Sequence, residues 1–242
     1  MSFIVKNKLR NSAREYDLAQ QPLKAEALKA ILETIQNAPT SNNFFSSSVV
    51  VVTDTKLLAE LGQILKQKQV SEAGAFLIFL ADFNRLAHIT AKTNYKEKLT
   101  QNDLLVAFGD AFIQATMAQD AATELGLGTC FIGGVREHID KIKELLNVTG
   151  IAFPAVGLTV GVPKKVAHTA KPKLNRVYQN TYNQEVLADE IKAYDEVIKN
   201  YYQEHGINGD YSNYAAEYLT KKHENQKILS ADILEAFNLK TK

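Results

Sequence analysis

The 242-residue chain has one cysteine, no tryptophan, two methionines and five prolines. A lone Cys130 excludes an intrachain disulfide framework. Such sparing use of cysteine fits a reducing compartment, and a cytoplasmic setting is expected. The formal net charge is only +1 and no basic arm is present. The chain therefore lacks the field that would favour nucleic acid or an anionic membrane surface. No run approaches the ~18 uninterrupted apolar residues of a membrane span, and the opening MSFIVKNKLRN carries no signal-like apolar core. The five histidines, His88, His138, His168, His205 and His223, nowhere pair at i+3 or i+4, and neither H-E-x-x-H nor C-x-x-C occurs. No metal site is expected. G-x-S-x-G and the P-loop pattern are missing too, which argues against α/β-hydrolase and P-loop chemistry. No apolar strand is followed by G-x-G-x-x-G with an acid ~20 positions on, so a nicotinamide dehydrogenase without flavin is disfavoured.

What is present is an apolar share of 45 %, enough for a sizeable core. Apolar spacing predicts a helix over 23–37, opened by Pro22, then a polar loop and a strand over 49–52. A helix over 56–68 and a buried strand over 75–81 follow, then a polar excursion over 86–101. Residues 103–125 form a long helix with Ala111, Ala115, Ala118 and Ala122 along one face and large apolar residues beside it. Such a helix is expected to be central and buried, with its small-residue face admitting another helix, at a subunit interface for instance. Strands over 129–132 and 154–160 and helices over 136–146 and 186–202 complete the pattern, ahead of a polar tail of turns and short helical stretches from His205. Interleaved strands and helices indicate an α+β or α/β fold with a helix-covered sheet.

Five stretches could carry chemistry. In Arg10-Asn11-Ser12-Ala13-Arg14, alternate residues fall on one side of an extended segment, so two guanidinium forks and a hydroxyl could grip a phosphate. Taken alone the stretch is also an ordinary solvated turn. Lys171-Pro172-Lys173 offers two cations on a stiffened tether, and is equally plain surface by itself. Thr40-Ser41-Asn42-Asn43 and Ser46–Ser48 can hydrogen-bond a heterocycle or simply turn the chain. Gln67 ends a helix. Finally, LGLGTCFIGG at 125–134 reads as a helix cap at Gly126, a buried strand through Cys130 and a turn at Gly133-Gly134. That pair admits a flat ligand to the backbone, and N–H groups at the start of a following helix would stabilise negative charge on it. Cys130 is expected to be a buried small hydrophobe, not a nucleophile. Hard chemistry, if any, then belongs to a cofactor.

Taken in order along the chain, these stretches resemble the FMN-dependent nitroreductase superfamily, and within it the oxygen-insensitive nitroreductase A and flavin reductase P group. LGLGTCFIGGVR is similar to the family's L-G-L-G-x-x-x-I-G-G-x-R, and ADFNR, RNSAR and KPK match in sequence order. The resemblance implies an α+β nitroreductase-like fold over 1–242, a single domain with a mainly antiparallel central sheet flanked by helices. It implies a homodimer with the long helix at its interface and a C-terminal extension, from about 205 to 242, on the partner. Arg10, Ser12, Arg14, Lys171 and Lys173 would hold the FMN phosphate. Thr40, Ser41, Asn42, Gln67, Ile132, Gly133 and Gly134 would meet the flavin. Hydride would pass from NADPH or NADH to flavin N5, and by ping-pong to nitroaromatics, quinones, flavins or related acceptors, and no side chain need serve as a dedicated acid or base. The alternative is a non-catalytic flavin-binding storage or redox-sensing module. Three positions depart from the family pattern. Arg10 replaces a histidine, Phe45 replaces a glutamine that contacts flavin, and His205 stands where relatives place an arginine for the extra phosphate of NADPH.

Overall fold

The computed structural model describes residues 1–21, 23–89, 91, 99–166 and 169–223. Pro22, half of the 86–101 excursion, His168 and the tail beyond 223 lie outside the described residues. The described chain divides at His168/Thr169 into two compact units.

The first unit contains α1 (Phe3–Leu9), α2 (Ala25–Gln36), β1 (Ser47–Val52), α3 (Thr55–Leu65), α4 (Lys68–Ser71), β2 (Ala75–Asp82), α5 (Asn84–Ile89), α6 (Gln101–Glu124), β3 (Gly128–Ile132), α7 (Ile139–Leu145) and β4 (Ala152–Gly161). The strands form one sheet in the order β1-β2-β4-β3, antiparallel at every step. The α+β expectation with a mainly antiparallel sheet is therefore met. The inner strands β2 and β4 are buried along their whole length, because helices cover both faces. Side chains alternate across the sheet. Ala75, Leu77 and Phe79 meet α6 and Ile31 and Ile35 of α2. Phe76, Ile78 and Leu80 meet Leu58, Leu61 and Leu65 of α3 together with Ile142 of α7.

Helix α6 begins at a reciprocal capping box between Thr100 and Asp103. It ends as the sequence predicts, at Gly126 with φ +76°. Its four alanines do not face another subunit. They pack on the sheet and on α2, where small side chains let the helix lie close to β2 and β4. The large residues Leu105, Phe112 and Ile113 are left 71 %, 41 % and 41 % exposed in the single chain. The helix expected over 56–68 stops at Leu65, because Lys66 turns left-handed at φ +53° and α4 restarts beyond it. The helix expected over 136–146 starts only at Ile139, after a 3-10 turn at Gly133–Arg136.

A bulge interrupts the β2–β4 register at Phe79/Leu80, leaving Ala155 as the extra residue beside Pro154. One residue pair on, Gly157 makes room for an aromatic ring, since a Cβ there would lie 2.3 Å from Cζ of Phe76. The second unit contains α8 (Leu187–Glu204) and α9 (Tyr211–His223). The tail therefore holds a longer helix than the short stretches its polarity suggests.

The Gly157→Ala variant is expected to lose about 1–3 kcal/mol of stability by overpacking, read as a lower urea midpoint at unchanged m-value.

Candidate functional site

Residues 10–14 run as an extended strip, the form in which Arg10, Ser12 and Arg14 share one side. Ser12 forms a parallel bridge with Thr129, and the Ala13 N–H donates to the Thr129 carbonyl at 2.9 Å. Farther on, Tyr16 bridges Pro163 and the Asp17 N–H donates to the Val162 carbonyl at 2.9 Å. The segment thus closes the open edge of β3. Two glycines permit this approach. A Cβ on Gly128 would lie 2.7 Å from Cβ of Ala13, and one on Gly161 would lie 2.6 Å from Cδ1 of Tyr16. The Tyr16 hydroxyl is paired with Oγ1 of Thr159 at 2.7 Å inside the core. This fixes the strip in register and leaves Ser12 and Arg14 exposed. Arg10 is half-buried, and its Nε is buried with no hydrogen-bond partner among the described residues. Asp120 of α6 lies within the field of Arg10. Its burial raises the carboxyl pKa and the guanidinium opposes that rise.

Beside the strip, the Cys130 thiol donates to the Phe131 carbonyl at 3.7 Å, and the polar side chains of Ser12 and Gln69 lie close enough to favour its ionised form slightly. Gln69 in turn donates to Oε1 of Gln67, the residue that caps α4. Sequence spacing does not single out Gln69, a buried amide bonded to Gln67. Burial pushes the Cys130 thiol pKa up, only partly offset by the Arg14 charge and these two side chains. It stays an un-ionised thiol, as expected.

At the far end of β3, Gly133 and Gly134 open the 3-10 turn, whose first N–H groups have no partner within it. The side chain of Ile132 is spent in the core, so only its backbone can face a ligand. Arg136 anchors the turn. Its Nη1 donates to the carbonyl of Ala155, the bulged residue, at 2.6 Å. A Cβ on Gly133 would lie 3.1 Å from Nη2 of Arg136.

The structure therefore gathers Arg10, Ser12, Arg14, Gln67 and the turn at Ile132–Gly134 around β3. It does not bring Thr40, Ser41 and Asn42 to them. That loop precedes β1, the opposite edge of the sheet, three strand spacings or roughly 14 Å away at ~4.8 Å each. Its Thr40 hydroxyl and Ser41 N–H are bonded to Asp110 of α6. The ADFNR match has a structural role here. Asn84 accepts from the Ile151 N–H and donates to the Thr149 carbonyl, both at 2.9 Å, while Arg85 reaches the carbonyls of Phe45 and Ser47.

In the second unit, Lys171 lies 5.5 Å from the ring centroid of Tyr202, and the Pro172 carbonyl accepts from the Tyr194 hydroxyl at 3.4 Å. Residues 171–173 are thus tied to α8, two turns of which supply the tyrosines. His205 ends α8, with Nδ1 2.7 Å from the Tyr201 carbonyl and its ring stacked on Tyr201. Among the described residues there is no His, Cys, Asp and Glu group that could hold a metal and no helix long and apolar enough to cross a membrane.

Residues 8–162 match the model of the Nitroreductase family, and residues 171–240 match that of the Nitroreductase family, C-terminal domain. The chain is 32 % identical over 222 residues to the Cr(VI) reductase of Pseudomonas sp. strain G-1, covering 88 % of this chain and 90 % of that protein. It is 36 % identical over 199 residues to the FMN reductase (NAD(P)H) of Bacillus subtilis strain 168, covering 78 % of each. The solved structure of the NfrA1 nitroreductase from B. subtilis superposes with a TM-score of 0.88 at 27 % identity, over 98 % of this chain and 99 % of that one.

The buried pair Tyr16 and Cys130 sets an alkaline limit. Burial raises both ionisations, for Tyr16 against a weaker opposing hydrogen bond from Thr159. On unfolding the protons leave more readily, so stability is unaffected by these groups below about pH 8.5 and falls as pH rises above it. Tyr16→Phe and Cys130→Ala should each flatten that alkaline decline in a series of urea midpoints.

Proposed function

The chain belongs to the nitroreductase family, and on that premise we propose that it is an NAD(P)H-dependent FMN oxidoreductase of the nitroreductase and flavin reductase type. The observation that carries the reading is the buried, unpartnered Nε of Arg10, next to the exposed Ser12 and Arg14 on a strip held against β3. A guanidinium atom withdrawn from water with no acceptor is poised for an anion, and FMN ends in a phosphate that fits such donors. Bound FMN supplies two-electron hydride chemistry between NAD(P)H and an acceptor. The residues bind and orient. Arg10, Ser12 and Arg14 hold the phosphate, and Gln67, steadied by Gln69, addresses the ring. The Gly133-Gly134 turn offers backbone donors where negative charge develops. The family resemblance assigns Lys171 and Lys173 to the same phosphate. No side chain is needed for a dedicated acid or base role, so acceptors are selected by fit, and nitroaromatics, quinones, flavins and chromate are the classes to screen.

Thr40, Ser41 and Asn42 sit on the opposite edge of the sheet, so this reading needs two copies of the chain, each bringing its loop to the other's β3 edge. The exposed stripe of Leu105, Phe112 and Ile113 on α6 suits that contact, and Gly109 lies within it, where a Cβ would meet nothing within 4 Å. Residues 1–242 then act as one nitroreductase-like domain in a cytoplasmic homodimer, with the extension from about 205 on the partner.

Purified protein should be yellow and should be bleached by NADPH or NADH without oxygen. Colourless protein that neither binds added FMN nor oxidises either nucleotide would sink the reading. Arg10→Ala and Arg14→Ala should each weaken FMN binding on the order of tenfold, with unchanged far-ultraviolet circular dichroism. Phe112→Glu should shift the protein from dimer to monomer in sedimentation and release flavin in the same step.

A further inference from the structure

Asp110 lies midway along α6 and is only 3 % exposed, yet its carboxylate serves a distant loop. Oδ1 accepts the Ser41 N–H at 3.0 Å. Oδ2 accepts the hydroxyl of Thr40 and, at 2.6 Å, that of Ser46. Thr40 passes the constraint on, because its Oγ1 accepts the Phe45 N–H at 3.0 Å. From the other side, Nη1 of Arg85 donates to the Phe45 carbonyl at 3.3 Å and to the Ser47 carbonyl at 3.1 Å. Between these anchors the backbone is left-handed at Asn42, Asn43 and Phe45, with φ of +50°, +58° and +50°. Asparagine tolerates that region. A bulky phenylalanine does not adopt it unless its surroundings impose it.

We propose that Asp110 is a positioning residue for the flavin site: it sets Thr40-Ser41-Asn42 in the shape that meets the flavin. This rests on the functional reading above, which assigns that loop to the cofactor. The chemistry favours a carboxylate over an amide. Three donors converge on it, and an asparagine would offer one acceptor oxygen while turning an NH2 group towards one of them. Hydrogen bonds to an ionised acceptor are also shorter and stronger than neutral ones, which suits an anchor that must hold strained backbone. Arg85 supplies the complementary grip, a cation on carbonyls where Asp110 is an anion on N–H and O–H groups.

The test compares full-length wild type with Asp110→Asn, Asp110→Ala and Ser46→Ala. Hydrogen exchange is read on flavin-free protein, FMN affinity by titration, and the bound flavin by visible circular dichroism. In Asp110→Asn, exchange at the Ser41 and Phe45 amides should rise by on the order of tenfold, with protection in β2 unchanged. FMN binding should weaken by a similar factor, and the flavin dichroism should change. Asp110→Ala should exceed this, and Ser46→Ala should move each readout the same way by a smaller factor. Unaltered exchange at both amides overturns the proposal. So does a raised exchange with unaltered FMN affinity, which leaves Asp110 a merely structural acid. If the Asp110 variants do not fold, Ser46→Ala decides the question alone by the same two readouts. Wild type that binds no FMN overturns the functional reading before any variant is compared, so the two failures are told apart.

Discussion

Gly128 and Gly161 face each other across β3 and β4, and neither holds the backbone of residues 12–16 away from the sheet. Everything at the β3 edge follows from that close approach. The strip can bridge Thr129 and Pro163 only because no Cβ stands between. Once it does, the period of two puts Ser12 and Arg14 on the open side while Ala13 is turned to the sheet. The same approach brings Ser12 near the Cys130 thiol, in whose surroundings Gln69, bonded to Gln67, also lies. On the proposed reading, a phosphate grip and a ring contact far apart in sequence are thereby brought to one sheet edge by main-chain packing.

The opposite edge is built by another principle. Loop 40–46 meets β2 where the Asp82 N–H donates to the Ser46 carbonyl at 2.9 Å, and the rest of its grip is one of charge. Asp110 draws in its N–H and hydroxyl donors, and Arg85 draws in its carbonyls. Both anchors come from elements packed firmly in the first unit, which is what allows a strained loop to be precise. On the proposed reading, the flavin site exists in one chain as two half-sites on opposite sheet edges. On the proposed reading, α6 serves both halves: its alanines face inward to seat it on the sheet, and its large apolar residues face outward towards a second copy.

The inner strands and the long helix are legible in the sequence because their signals are local. AFLIFLA is an unbroken apolar run, and α6 carries its capping box at one end and Gly126 at the other. The inertness of Cys130 is legible for the same reason. Where sequence pattern misleads or stays silent, the deciding contact lies elsewhere in the chain. Helix α1 has no clear signal of its own, and its Lys6 is bonded to the carbonyl and carboxylate of Glu124. The orientation of the alanine face depends on which side of α6 the sheet occupies, which periodicity alone does not say. Asp110 escapes notice because its three donors lie 64 to 70 residues away. The available signal is an acid set beside Ala111 and between turns bearing Ala107 and Ala115 on a buried face. Such a residue requires partners, although it does not name them.

The absence of a nucleophile or acid–base pair from the motifs is informative in itself. With the cofactor carrying the electron transfer, the demands on the protein are geometric: hold a phosphate, present N–H donors at a turn, and keep a shaped loop in place. Several groups around these features have chemistry that is suppressed or spent. The thiol of Cys130 is kept protonated by burial and donates to the Phe131 carbonyl. Arg136 is engaged by a bulge carbonyl behind the Gly133-Gly134 turn, and Asp110 is saturated by three donors. Apart from Arg10, Ser12 and Arg14, kept for the phosphate on the proposed reading, these polar groups are engaged with partners inside the chain. On that reading, discrimination among acceptors rests on fit against the backbone and the loop.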